Sequence, residues 1–194
     1  MSPISHLPSR ALALVSAGLL AGLATATGAE ASPAPTADIT IIDAYTETVQ
    51  ESAGTAVLCP TNQVLVGRRH IGDSDGYTTY YCAFVLIGGQ PAKVSSATWS
   101  DSQTESSSSF TATPPYRVLV GQQHTGDATG STRYAYATMR AWGQPVALTN
   151  YGWTPAQRES SSYSHAGTYE VMVGRSHYGD ENGPTRYQYA AVSD

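Results

Sequence analysis

His70, His124 and His177 are spaced by 54 and 53 residues, and Asp73, Asp127 and Asp180 keep the same intervals. Glu51, Glu105 and Glu159 recur every 54 residues, each followed by serine. One aromatic per interval, Tyr45, Trp99 and Trp153, holds the 54-residue spacing too, and Tyr134 and Tyr187 lie 53 apart. Imidazole, carboxylate and aromatic groups in this combination suit three kinds of chemistry: proton transfer, metal ligation and the binding of sugars.

Proton-transfer catalysis is the weakest of the three. There is no G-x-S-x-G, no H-E-x-x-H and no phosphate-cradling loop. A glycosidase pair needs one acid and one base in unlike environments. Repeated acids put like groups in like environments, whereas repeated binding sites gain by avidity. Three histidines on a common axis would make a zinc site in principle, but their side chains equally suit fixing a turn by donating to its aspartate or to a carbonyl. The loops Asp73-x-Asp75-Gly76 and Asp180-Glu181-Asn182-Gly183 resemble calcium loops, yet the middle copy offers only Asp127 before Ala128 and Thr129. Calcium wants six to eight oxygens, so the aspartates read as turn chemistry. No metal and no cofactor is assigned. The candidate ligand set is His70, His124, His177, Asp73, Asp127, Asp180, Trp99, Trp153, Glu105, Glu159, Tyr134 and Tyr187. The aromatics offer a flat face to a pyranose or pack in the core. The glutamates and the serines after them offer hydroxyl and carboxylate partners to a glycan, or keep an edge strand soluble.

The elements that must position these residues are strands. The segments starting at Val64, Val118 and Val171 share the pattern V-[LM]-V-G-x-x-H-x-G-D-x-x-G-x-T-x-Y-x-[YC]-A. Val64, Val66, Arg68 and His70 alternate with Leu65, Gly67 and Arg69 at the period of a strand. Thr78, Tyr80 and Cys82 share a face of the next strand. Between them G-D-x-x-G predicts a turn, with Asp initiating it and Gly supplying the positive-φ position. Each copy therefore contains a β-hairpin. Further strands are expected over 39–51, 93–105 and 146–159. The other glycines of the pattern, at 67, 121 and 174, read as a bulge or close approach within the strand.

The fold expectation is all-β: three tandem repeats, 38–91, 92–145 and 146–194, closing into one pseudo-threefold domain of β-prism or trefoil-like layout. A β-sandwich is the runner-up. One repeat cannot bury its own apolar face, and an open array of three would leave edges that invite aggregation. Upstream, Ala11 to Leu23 is a thirteen-residue run of apolar and small residues after Arg10, followed by A-x-A sites. That is the length of a secretory h-region and too short to span a bilayer. Residues 1–31 are read as a signal peptide, 32–38 as an extended lead-in and 39–194 as the domain, which predicts a secreted protein with no membrane span. Export permits a disulfide, and Cys59 and Cys82 are the two cysteines available.

Ten Lys+Arg against 15 Asp+Glu, in 194 residues, give a formal charge of −5. This argues against a nucleic-acid partner, which needs a basic surface. With 41% hydrophobic residues and 13 Tyr the chain is not a disordered acidic one. In its Ala/Leu-rich leader, its nine Arg to one Lys and its Thr/Ser/Tyr-rich body, the sequence resembles small secreted actinomycete proteins. Its triplicated layout, though not its motifs, is similar to that of threefold lectins. The resemblance implies a non-enzymatic binding protein for polysaccharide or cell-surface glycan, with one site per repeat. Two alternatives stand beside it: an adaptor or structural subunit of a secreted protein assembly such as a bacterial toxin or lectin particle, and an inhibitor of a secreted hydrolase.

Overall fold

The computed structural model describes residues 37–193. The signal-peptide segment 1–31 and positions 32–36 of the lead-in lie outside the described residues. The fold is all-β, built from antiparallel pairs, with no α-helix among the described residues. None of these residues forms a helix able to cross a membrane.

Eleven strands carry the architecture. They are β1 (Ile39–Gln50), β2 (Ala53–Leu58), β3 (Gln63–Ile71), β4 (Tyr77–Ile87), β5 (Ser109–Thr111), β6 (Arg117–Thr125), β7 (Ser131–Ala141), β8 (Ala147–Trp153), β9 (Tyr163–His165), β10 (Glu170–His177) and β11 (Pro184–Ser193). Three hairpins, β3–β4, β6–β7 and β10–β11, form the centres of three sheets. The first sheet runs β1-β4-β3-β9, and the third runs β8-β11-β10-β5. In the second, β7 and β6 are followed by β2, while the other flank of β7 carries the short pieces Lys93–Val94, Thr98–Trp99 and Gln103–Thr104. The strand expected over 93–105 is thus broken into three, where 39–50 is continuous. Serine at positions 95, 96, 100 and 102 explains part of this, since its hydroxyl competes for backbone partners. Ser95 and Ser100 do so, accepting from the amides of Thr138 and Tyr134.

Every sheet borrows a strand. β2 joins the second hairpin, β5 the third, and β9 returns to the first. The borrowed strands demand the glycines that precede the histidine by three residues. A Cβ on Gly121 would lie 2.2 Å from the Val57 carbonyl, and one on Gly174 2.6 Å from that of Phe110. The pairing register shifts at these same places, between Leu65 and Gly67, Leu119 and Gly121, and Met172 and Gly174. A bulge adds a residue to one strand and breaks simple alternation. Leu65 and Val66 are therefore both buried, against the strict two-residue period that the sequence suggests. Leu65, Leu119 and Met172 pack with Tyr80, Tyr134 and Tyr187, whereas Val64, Val66, Val118, Val120, Val171 and Val173 fill a separate cluster. The Cys59–Cys82 disulfide ties the end of β2 to β4.

The turns follow the expected chemistry with one correction. Gly76, Gly130 and Gly183 donate to the carbonyls of Asp73, Asp127 and Asp180 at 2.7–2.8 Å, closing β-turns with Asp first and Gly last. The positive φ belongs instead to the glycine before the aspartate, Gly72, Gly126 and Gly179, at 103°, 85° and 94°. The closing glycine is required for space: a Cβ on Gly130 would sit 2.0 Å from the Thr125 carbonyl.

Candidate functional site

The repeated histidines and glutamates converge on the interior. β3, β6 and β10 touch one another pairwise, and each sends a histidine inward from its last turn-proximal positions. His70, His124 and His177 are 1%, 4% and 3% exposed. Their Nε2 atoms lie 2.8–3.0 Å from the carbonyl oxygens of Gly72, Gly126 and Gly179. A carbonyl only accepts, so Nε2 carries the proton and the ring is anchored to its own turn. Nδ1 then faces inward.

The glutamates meet these rings. Glu105 and Glu159 open short 3₁₀ turns, Glu105–Ser107 and Glu159–Ser161. The amides of Glu51, Glu105 and Glu159 donate to Gly76, Gly130 and Gly183, docking each glutamate on the turn of a hairpin. Ser52, Ser106 and Ser160 accept from the amides of Gly126, Gly179 and Gly72, so each of these segments also grips a second hairpin. Backbone bonding on both sides leaves the carboxylates nowhere to point but inward, and all three are buried.

Sequence reasoning missed the partners that make this tolerable. Arg68 and Arg175, each 1% exposed, occupy the same pattern position as Gln122. Arg68 donates to both oxygens of Glu51 at 2.6 and 2.9 Å, to Glu159 Oε1 at 2.6 Å and to the Tyr187 hydroxyl at 3.0 Å. Arg175 pairs with Glu105 Oε1 at 2.7 Å and Glu159 Oε1 at 3.0 Å, both outside good hydrogen-bond alignment, and donates to the Tyr134 hydroxyl at 3.2 Å. Gln122 donates to Thr132 and accepts from Tyr80 but pairs with no glutamate. The available signal was periodicity: an arginine two residues before His70, beyond the bulge, shares the inward face of that histidine.

The electrostatics follow from this wiring. Burial alone would push the Glu51 carboxyl up. The Arg68 guanidinium outweighs burial and holds it at about 2. Burial likewise opposes ionisation of Glu159, but Arg175 and Arg68 bring its carboxyl well below the usual range. Burial lowers the His177 imidazole, and Arg175 lowers it further, which favours the neutral ring. Three carboxylates share two guanidiniums.

The candidate residues divide accordingly. The histidines, Glu105, Glu159, Tyr134 and Tyr187 are inside. Ser108 and Ser162 are also buried, within 3.2 and 2.9 Å of the Tyr134 and Tyr187 hydroxyls. Asp73, Asp127 and Asp180 are exposed, and Asp127 and Asp180 accept from the amides of Thr129 and Asn182 in their own turns. Tyr45 and Trp153 are 40% and 39% exposed. Trp99 is half-buried, and the Arg133 guanidinium stacks 4.7 Å from its ring centre. An open cleft of about 660 Å³ lies between β1 and residues 165–169, lined by Asp43, His165, Thr168 and Tyr169 among others. Comparison of the chain with models of protein families, with curated proteins and with solved structures found no match.

Proposed function

We propose that the protein is a secreted, non-enzymatic, lectin-like binder of polysaccharide or cell-surface glycan, its three hairpins closing into one pseudo-threefold domain. The observation that carries the reading is the exposure of Tyr45 and Trp153, with Trp99 half-buried against the core under the Arg133 guanidinium. With the histidines, glutamates and tyrosines turned inward, Tyr45, Trp99 and Trp153 are what the repeats present to a large ligand, one per sheet. Each stands among groups that hydrogen-bond hydroxyls, such as Arg133 beside Trp99 and Thr154 after Trp153. An aromatic ring with polar neighbours suits the apolar face of a pyranose. The 660 Å³ cleft rimmed by Tyr169 and His165 adds a second place of ligand size. The interior acids and histidines face one another and are assigned no reaction. A disulfide agrees with an oxidising compartment.

The test is a glycan and cell-wall-polymer array probed with the full chain, Trp99→Ala and Trp153→Ala. The wild type should bind a defined subset of polymers, weakly per site and more strongly on dense spots. Each replacement should cut binding severalfold while the circular dichroism spectrum stays unchanged. Wild-type signal no higher than background across the array ends the reading.

A further inference from the structure

The interior set contains more acceptors than donors. His124 Nδ1 and Glu105 Oε2 face each other at 3.7 Å, and His177 Nδ1 and Glu159 Oε2 at 3.8 Å, too far for hydrogen bonds. None of the four atoms has a hydrogen-bond partner, and all four residues are at least nine-tenths buried. With Nε2–H committed to a glycine carbonyl, a neutral ring presents a lone pair at Nδ1. Lone pairs therefore meet carboxylate oxygens. All six residues of the three His–Glu pairs line one central cavity of about 20 Å³, capped by Ser74, Ala128 and Glu181 of the three turns. That volume holds a single water or ion. A water supplies two protons, fewer than the four unpartnered acceptors around it.

We infer that this cavity is a binding site for one divalent transition-metal ion of the zinc class. Glu51, His70 and Glu159 bring one ligand atom each within 4.8 Å of one another, and all three are buried. His177 lines the same cavity with its Nδ1 3.8 Å from the unpartnered Oε2 of Glu159, and we take it as the fourth donor. Two imidazole nitrogens and two carboxylate oxygens make a set that suits zinc and disfavours calcium or magnesium, which take oxygen. The glycine carbonyls that hold Nε2–H supply the outer partners that metal-bound histidines require. Charge points the same way. Arg68 spans Glu51 and Glu159, Arg175 spans Glu159 and Glu105, and Gln122 stands where a third guanidinium would span Glu105 and Glu51. The ion supplies the positive charge that two guanidiniums among three carboxylates leave unmet. The site is independent of what the outer surface binds.

The experiment uses the full chain stripped with a chelator and titrated by calorimetry with Zn²⁺, Ca²⁺ and Mg²⁺, with Co²⁺ absorption as a second readout. The expected result is one Zn²⁺ per chain at micromolar Kd or tighter, a Zn²⁺-dependent rise in Tm, a visible Co²⁺ d–d band and no response to Ca²⁺ or Mg²⁺. His70→Gln should weaken Zn²⁺ binding at least tenfold. Gln122→Arg, which supplies the third guanidinium and leaves all four proposed ligands in place, should do the same. Asp101→Asn, an exposed carboxylate outside the cavity lining, should leave binding unchanged. Absence of stoichiometric Zn²⁺ binding by the folded wild type overturns the inference. So does wild-type affinity in Gln122→Arg, or a response to Ca²⁺ equal to that to Zn²⁺.

Discussion

Replacing Arg68 with Met tests whether the interior is wired as described. The new side chain matches the arginine stem in length and keeps it apolar, but removes the guanidinium. Four hydrogen bonds of 2.6–3.0 Å go with it, two to Glu51, one to Glu159 and one to Tyr187. Arg68 is 1% exposed, so water cannot take its place. Breaking a buried pair by removing one partner costs about 3–5 kcal/mol. Against a total of about 5–15 kcal/mol for a domain, that is a large share, and it lowers Tm by about 6–20 °C at this chain length. The pH dependence is diagnostic. In the wild type Glu51 is held at about 2, below its unfolded value. Such a group stabilises the fold above the unfolded pKa and ceases to as pH falls. Without Arg68, burial dominates and the carboxyl rises above its unfolded value, so it favours the fold at low pH and opposes it as pH rises. The gap between variant and wild type should therefore shrink from pH 7 to pH 4. Urea titrations in chelator-treated buffer, followed by tryptophan fluorescence, measure it at each pH. Gln122→Met is the control, with neutral bonds only and a cost of about 1 kcal/mol. A loss under about 1 kcal/mol at pH 7 for Arg68→Met, or a gap of equal size at both pH values, would refute the reasoning.

Three more outcomes are expected. The metal-free wild type should lose stability as pH drops from about 4.5 toward 2, because Glu51 and Glu159 are both depressed in the fold; circular dichroism at fixed urea concentration reads the midpoint. Reducing the Cys59–Cys82 disulfide, which joins residues 23 apart, should cost about 3 kcal/mol in denaturant titrations. Gly121→Ala should destabilise by about 1–3 kcal/mol or more, since its Cβ would stand 2.2 Å from the Val57 carbonyl and must push β2 away; faster hydrogen exchange at Val57 and Leu58 would locate the damage.

The hairpins were legible because β3, β6 and β10 carry valine alternation and a turn with a fixed Asp and Gly. The borrowed strands were not. β2, β5 and β9 are three to six residues long, rich in Ala, Ser, Thr and Tyr, and their pairing is decided by a distant partner rather than by local pattern. The interior set was half legible. The spacing of His70, Glu51 and their counterparts marked them as a group, but polarity suggested a surface, because charged side chains are seldom buried unless paired. The pairing partners, Arg68 and Arg175, fall where the strand period places them, two residues before a histidine and past the bulge. Gln122 at the equivalent place hid the rule, since one copy in three breaks it.

The return of β9 to the first sheet has a consequence for how the chain folds. Tyr163 pairs with Arg69, so the first hairpin waits for the last third of the chain before its edge is covered. Until then the early sheets expose strand edges, and the later steps close long loops whose entropy must be met before the contacts reward it. Folding should be slow and all-or-none, with no stable fragment ending after the second hairpin. If the chain is exported as proposed, a fold that closes only when its far end arrives suits passage ahead of folding.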